Sequence, residues 1–249
     1  MDGFIAAAML TVKVDGGSGA SGYTCLFVDP TPTAFKLSNV DTYSSKIFPI
    51  TPKNVTDNIV SIAIGWQGKD GGPSITGCNS ATPAQLPSAD SWPTPNCNTG
   101  ILRVDIVPVG GPGVALSRDF LLNNTITVYL YPKNAGGSTT INQSTIMGFT
   151  KQGAIQYVNC PGSSIPFGKS EQCNVIINGF GAGVTSKANY MMRIKSIYRS
   201  STVSVQALDS SNVAYELKDG QAIIDATGKT TDVLRRTQIR IPLSNDINA

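Results

Sequence analysis

Gln221–Leu243 reads QAIIDATGKTTDVLRRTQIRIPL, and the period of its apolar residues decides the fold. Alternation places Ala222, Ile224 and Ala226 on one face of a first strand, and Val233, Ile239 and Ile241 on one face of a second, with the polar run from Gly228 to Asp232 between them. That is a hairpin with one wet side. Just upstream, Tyr190, Met192, Ile194 and Tyr198 stand opposite the basic Arg193, Lys195 and Arg199, and Val203, Val205 and Ala207 stand opposite Thr202, Ser204 and Gln206. The last third therefore reads as an antiparallel meander.

The same two-residue period recurs toward the N-terminus. Val60, Ile62, Ile64 and Trp66 oppose Ser61, Ala63 and Gly65; Leu102, Val104 and Ile106 oppose Arg103 and Asp105; Ile126, Val128 and Leu130 oppose Thr127, Tyr129 and Tyr131. Each describes a half-buried strand, and repeated one-sided strands describe antiparallel sheets. Tyr23–Val28 and Cys173–Ile177 read as shorter strands, and Gly148–Val158 as a hairpin through Gln152-Gly153. Helical signal is confined to Phe4–Lys13, with Asp2 as cap and Ala6, Ala7 and Ala8 as helix formers, and to a turn at Ser117–Leu122. The expected fold class is mainly β (α+β): an antiparallel sheet meander with a short N-terminal helix against it and loops pinned by disulfides. One domain of 249 residues is expected. Residues 1–22 form a short helix and Gly-rich spacer, 23–185 strands with long loops, and 186–249 the C-terminal meander.

Composition narrows the function. Charged residues are 14% of the chain, against roughly a quarter in average soluble proteins, so the surface is hydrated by neutral polar groups, as suits an extracellular β protein. The net charge of +3 is too small to imply nucleic acid or an acidic membrane as a partner. The chain has no histidine, which excludes Ser-His and Cys-His catalysis and the imidazole-ligated metal sites. Carboxylate pairs can hydrolyse glycosides without histidine, but Asp105, Glu171, Asp209, Glu216, Asp219, Asp225 and Asp232 fall mostly in or beside turns, and nothing in the sequence pairs two of them. No enzyme is expected. The apolar run from Gly3 to Val12 is shorter than the ~20 residues that span a bilayer and lacks a basic leader.

Five cysteines occur. Cys78 and Cys97 bracket a Pro/Ser/Asn-rich loop, Cys160 and Cys173 bracket a second with Pro161 and Pro166, and neither spacing is that of a metal knuckle or redox CxxC. Two local disulfides follow, each closing a loop too poor in apolar residues to order itself and each worth about 3 kcal/mol. They imply an oxidising, exported location; the competing reading is five reduced thiols in a cytosolic protein. Cys25 is the odd one, read as a buried thiol beside Leu26 and Phe27.

Tyr190–Asp209, YMMRIKSIYRSSTVSVQALD, followed by Gln221–Leu243, resembles the C-terminal part of minor pilin or pseudopilin ectodomains of bacterial type IV pilus systems. The resemblance covers Asn189 to Leu243. It implies a structural subunit on a cell-surface pilus of a bacterium, exported and anchored in the membrane through a missing hydrophobic N-terminal helix, and assembled with other pilin subunits by helix packing. The globular part then faces outward for adhesion to a host-cell surface protein or glycan, or for twitching motility.

Three sets of residues are candidates for contact. Trp92 in the first cysteine loop, with Tyr129 and Tyr131 on a polar strand face, offers rings for a sugar or a protein partner; the alternative is a loop tryptophan packed back on its own loop. Arg193, Lys195, Arg199, Arg235, Arg236 and Arg240 concentrate in the last third, for DNA phosphates or acidic groups of a neighbouring subunit, or simply as a solvated face that deters aggregation. Arg235 lies in phase with the apolar side of its strand, which predicts a bulge or an edge position. Asp29, Asp41, Asp57, Asp70 and Asp90 are oxygen donors for a structural calcium or, more simply, turn formers; no DxDxDG run is present. Gly179–Gly183 lacks the context of a nucleotide loop. Outside the pilus class, the chain reads as a secreted carbohydrate- or protein-binding β-sandwich, with Trp92 and the cysteine loops as its recognition surface.

Overall fold

The computed structural model describes residues 22–54, 56–69, 78, 85–92, 97–109, 117–134, 136–143, 153–160, 172–180, 189–230 and 233–243. The chain runs through β1 (Gly22–Asp29), β2 (Phe35–Val40), β3 (Lys46–Pro52), β4 (Ser61–Gly68), β5 (Ile101–Val109), α1 (Arg118–Asn124), β6 (Ile126–Lys133), β7 (Thr140–Asn142), β8 (Ala154–Asn159), β9 (Cys173–Asn178), β10 (Asn189–Ile197), β11 (Ser201–Leu208), β12 (Leu217–Lys218), β13 (Gln221–Thr230) and β14 (Val233–Pro242). Helix α1 is a short connector whose Ser117 side chain accepts the Phe120 N–H, satisfying one of the free donors of its first turn. The expected helix over 4–13 and the glycine-rich spacer lie outside the described residues.

The strands form three sheets. A six-stranded sheet has the order β12-β3-β10-β5-β6-β8, a five-stranded sheet the order β2-β11-β4-β9-β7, and a three-stranded sheet the order β1-β13-β14. The two larger sheets share one hydrophobic cluster. Leu102, Val104, Val128, Leu130, Met192 and Ile194 come from the six-stranded sheet, and Ile62, Ile64, Trp66, Val175, Val203 and Val205 from the five-stranded one. At one rim Phe35 of β2 meets Phe48 of β3 edge-on, ring centroids 5.7 Å apart. At another, the Cys160–Cys173 disulfide links the end of β8 to the start of β9.

Four features differ from the sequence expectation. First, β10 and β11 are not neighbours in a meander: β10 pairs with β3 and β5, and β11 with β2 and β4. The three residues between them carry the chain from one sheet to the other, with Tyr198 in the left-handed region at φ 69° and the Ser196 hydroxyl donating to the Arg199 carbonyl. Second, β4 is buried on both faces from Ser61 to Trp66. Its second face carries Ser61, Ala63 and Gly65, small enough for covering chain to come close. Trp66 donates its indole N–H to the Gly100 carbonyl at 3.0 Å. Third, the sheets are mixed, because β8 lies parallel to β6 and β7 parallel to β9; the first arm of the expected hairpin at 148–158 falls outside the described residues up to 152. Fourth, the last hairpin forms with Ala222 opposite Ile241 and Ile224 opposite Ile239, but β13 runs on to Thr230 and β14 starts at Val233, so residues 228–230 are paired strand and not part of the connection. Both faces of β14 are open. Leu26 and Ile239 are each about half exposed, at 51% and 52%.

Gly220, where the chain enters β13, lies flat against the buried Phe35 ring. A Cβ there would sit 2.0 Å from Phe35 Cζ, so the objection to a side chain is space. Gly220→Ala is expected to cost about 1–3 kcal/mol, seen as a lower urea midpoint at unchanged m-value.

Candidate functional site

Both expected disulfides are present, Cys78–Cys97 and Cys160–Cys173, each with Cα atoms 4.6 Å apart. Cys25 lies on β1 opposite Thr227, but Leu26 and Phe27, the neighbours expected to share a buried site with it, are about half exposed, at 51% and 50%.

The aromatic candidates separate. Trp92 is only 5% exposed and Tyr131 only 3%, so neither presents a ring to solvent, against the expectation of a contact surface. Trp92 packs edge-on against Tyr131 at 5.3 Å and tilted on Tyr198 at 5.9 Å, and Tyr131 continues to Tyr157 at 5.5 Å. The Tyr198 hydroxyl donates to the Pro87 carbonyl in the same loop. Trp92 therefore ties the first cysteine loop to β6 and to the crossing between β10 and β11. Tyr129 stays on the outer face of its sheet, half-buried, with the Arg103 guanidinium 6.0 Å from its ring centre.

The basic residues fall into three places, Arg199 lying in the crossing between β10 and β11. Arg193 and Lys195 belong to β10 in the six-stranded sheet, whereas Arg235, Arg236 and Arg240 belong to β14 in the three-stranded sheet. Arg193 is committed to Asp105: its Nε donates to Oδ2 at 2.7 Å, while Arg103 and the Thr127 hydroxyl donate to Oδ1 at 3.3 and 2.7 Å. Asp105, expected on the wet face, is thereby buried without an unpaired charge. Removing that carboxylate would leave two guanidinium groups facing each other. Lys195 stands across from Arg103 on β5. Arg236 is committed to Asp225, with Nη2 and Oδ2 2.5 Å apart, and this contact holds the Asp225 carboxyl below its usual range. Arg235 is exposed on an edge strand whose register shows no bulge, as the edge reading requires.

Acidic residues are also held singly. Glu216 pairs with Lys53 between half-exposed partners, a contact worth little. Asp29 accepts the Thr31 N–H, Asp209 the Ser211 and Val213 N–H groups, and Asp41 the Tyr43 and Ser44 N–H groups. The Ser44 N–H is the largest cause of the lowered Asp41 pKa. These are turn bonds of the kind Asp makes to its own backbone. Among the described residues no three His, Cys, Asp or Glu side chains converge as a metal cage.

Among the described residues a groove of about 590 Å³ opens where the three sheets meet. Phe35–Asn39 of β2, Lys46–Phe48 of β3 and Gln238–Arg240 of β14 line it, with Gln221 at one end. Of the sequence candidates, Arg240 and Asp41 lie there, Asp41 held in its own turn. For Arg240, burial and its one carbonyl partner set the environment. Its Nη1 donates to the Ala34 carbonyl at 2.9 Å, and burial pushes its pKa down while Asp29 opposes the shift. Nothing in the strand period marked this groove, because it arises from strands distant in sequence.

Comparison of the chain with protein-family models, with characterised proteins and with solved structures gives no match.

The aromatic cluster carries a pH signature. Burial raises the pKa of Tyr131, Tyr157 and Tyr198 above the ordinary 10.0. A raised folded-state pKa contributes stability that is complete below the unfolded pKa and is lost as pH rises through the folded one. The melting temperature should therefore fall progressively above about pH 10. Tyr131→Phe, compared with wild type, should make that fall shallower. An alkaline limb identical in the two proteins would show that Tyr131 does not titrate with unfolding.

Proposed function

We propose that the chain is the outward-facing part of a structural subunit of a type IV pilus, a minor pilin or pseudopilin, contributing to adhesion or twitching motility from the surface of a bacterium. The observation that carries this reading is the apolar face of the β1-β13-β14 sheet. Cross-strand register puts Leu26 and Val28 of β1, Ala222, Ile224 and Ala226 of β13, and Ile239 and Ile241 of β14 on one side. Leu26, Val28, Ile239 and Ile241 are 40–52% exposed. A contiguous apolar surface of this kind marks a contact surface. β1 is also the strand that the N-terminal segment enters. In this reading residues 4–13 supply the short helix that lies against that face, giving the pilin-like arrangement of helix on sheet, and a longer apolar helix upstream anchors the subunit and packs with other subunits.

The disulfides support export. Burial of Trp92 and Tyr131 weighs against the loop tryptophan as the sugar platform of a free-standing binding module. Antibodies raised to this chain, used for immunogold electron microscopy of the native cells, are expected to label thin filaments along their length or at their tips. Label spread over the envelope of cells without filaments would overturn the pilus reading in favour of a secreted binding module.

A further inference from the structure

The groove where the three sheets meet is walled by strand edges. Successive side chains of a strand point to opposite faces, so the five consecutive residues Phe35–Asn39 line one cavity only if the edge of β2 faces it. β2 is the last strand of its sheet and β14 the last of its own. β3 pairs with β10 over Lys46–Ile50, but on its other side meets β12 only at Thr51 and Pro52. Three edges that lack a neighbouring strand among the described residues therefore converge. One point on them is already paired as a strand would pair it. The Lys36 N–H donates to the Gln221 side-chain oxygen at 2.9 Å and the Gln221 amide donates back to the Lys36 carbonyl at 2.7 Å.

The groove is also positively charged. Lys36, Lys46 and Arg240 line it with Asp41 as its one carboxylate, and Asp41 is engaged by the Tyr43 and Ser44 N–H groups and the Ser44 hydroxyl. Arg240 is half-buried and, among the described residues, no carboxylate lies within ion-pair distance of it. A partly desolvated guanidinium that shares one carbonyl has donors left over, and it is stabilised by an anion that arrives with the ligand. Phe35 and Phe48, the rings in the wall, are buried in the core and give no stacking platform for a sugar.

We propose that this groove binds an extended acidic peptide segment of a partner protein by strand addition, main chain along the free edge and a carboxylate on Arg240. Main-chain bonds supply affinity in this mode and alternate side chains supply selectivity. The inference does not depend on the filament reading.

Selection of displayed random heptapeptides on the full-length protein tests it. Selected peptides should carry Asp or Glu at alternating positions. Synthetic copies should bind roughly 10–100-fold more weakly to Arg240→Gln, the loss of a charge-assisted hydrogen bond, and more weakly to Lys36→Glu/Lys46→Glu, whose side chains are exposed and half-exposed. N-methylation of every second peptide amide should abolish binding, while methylation of the intervening amides should not. Recovery of no peptides, of peptides without acidic enrichment, or of peptides indifferent to both variants would overturn the proposal. So would acidic peptides insensitive to the N-methyl pattern, or sialyl and uronic-acid oligosaccharides binding through Arg240 in their place.

Discussion

Burial of the five-stranded sheet against the six-stranded sheet is the constraint on which the other parts depend. The two sheets share one apolar cluster, and β4 and β11 are covered on nearly every residue of both faces. The consecutive strands β10 and β11 are delivered to opposite layers. The chain does this at Tyr198, where a non-glycine residue takes a positive φ, a conformation that is uncommon and needs surrounding contacts to hold it. Those contacts are the ring of Trp92 and the Pro87 carbonyl. The first cysteine loop is thus locked to the crossing, and the crossing to the core. The second disulfide, at the ends of β8 and β9, fixes the same two sheets from another side.

The three-stranded sheet stands apart from that cluster. Its polar face is organised by Asp225, which engages Arg236 and Gln238, and its other face is apolar and open. Long, exposed edges with apolar character invite pairing or aggregation unless charged or covered. Here β14 carries Arg236 and Arg240 on the polar face and Arg235 at one end of the apolar face, charges that discourage a second copy of the same strand from pairing with it. Both the pilus reading and the peptide groove follow from treating this sheet as a platform for other chain.

The alternation of Ile62, Val104, Val128, Met192 and Val203 was enough to place those side chains in the core, and Ala222, Ile224, Ile239 and Ile241 share one face of the final hairpin as their alternation implies. Period alone carries no information about direction or partner, so the parallel pairs β6–β8 and β7–β9 and the separation of β10 from β11 were not readable. The cysteine spacing gave both disulfides because each closes a short local loop. For Trp92 a surface ring and a ring packed back on its loop both stood open, because the partners that decide between them, Tyr131 and Tyr198, are distant in sequence. Arg240 was legible as basic; its half-buried setting, with the Ala34 carbonyl as partner and Asp29 near enough to oppose the lowering of its pKa, exists only in the folded chain.

If the apolar face of β1-β13-β14 is covered by the chain segment that precedes Gly22, as proposed, removing that segment should uncover it. Amide hydrogen exchange read by mass spectrometry on the full chain and on one beginning at Gly22 measures this. Faster exchange is expected across β1, β13 and β14 in the shortened chain, with β4 and β11 unchanged; identical exchange in the three-stranded sheet of the two proteins would show that the face is not a contact surface for that segment.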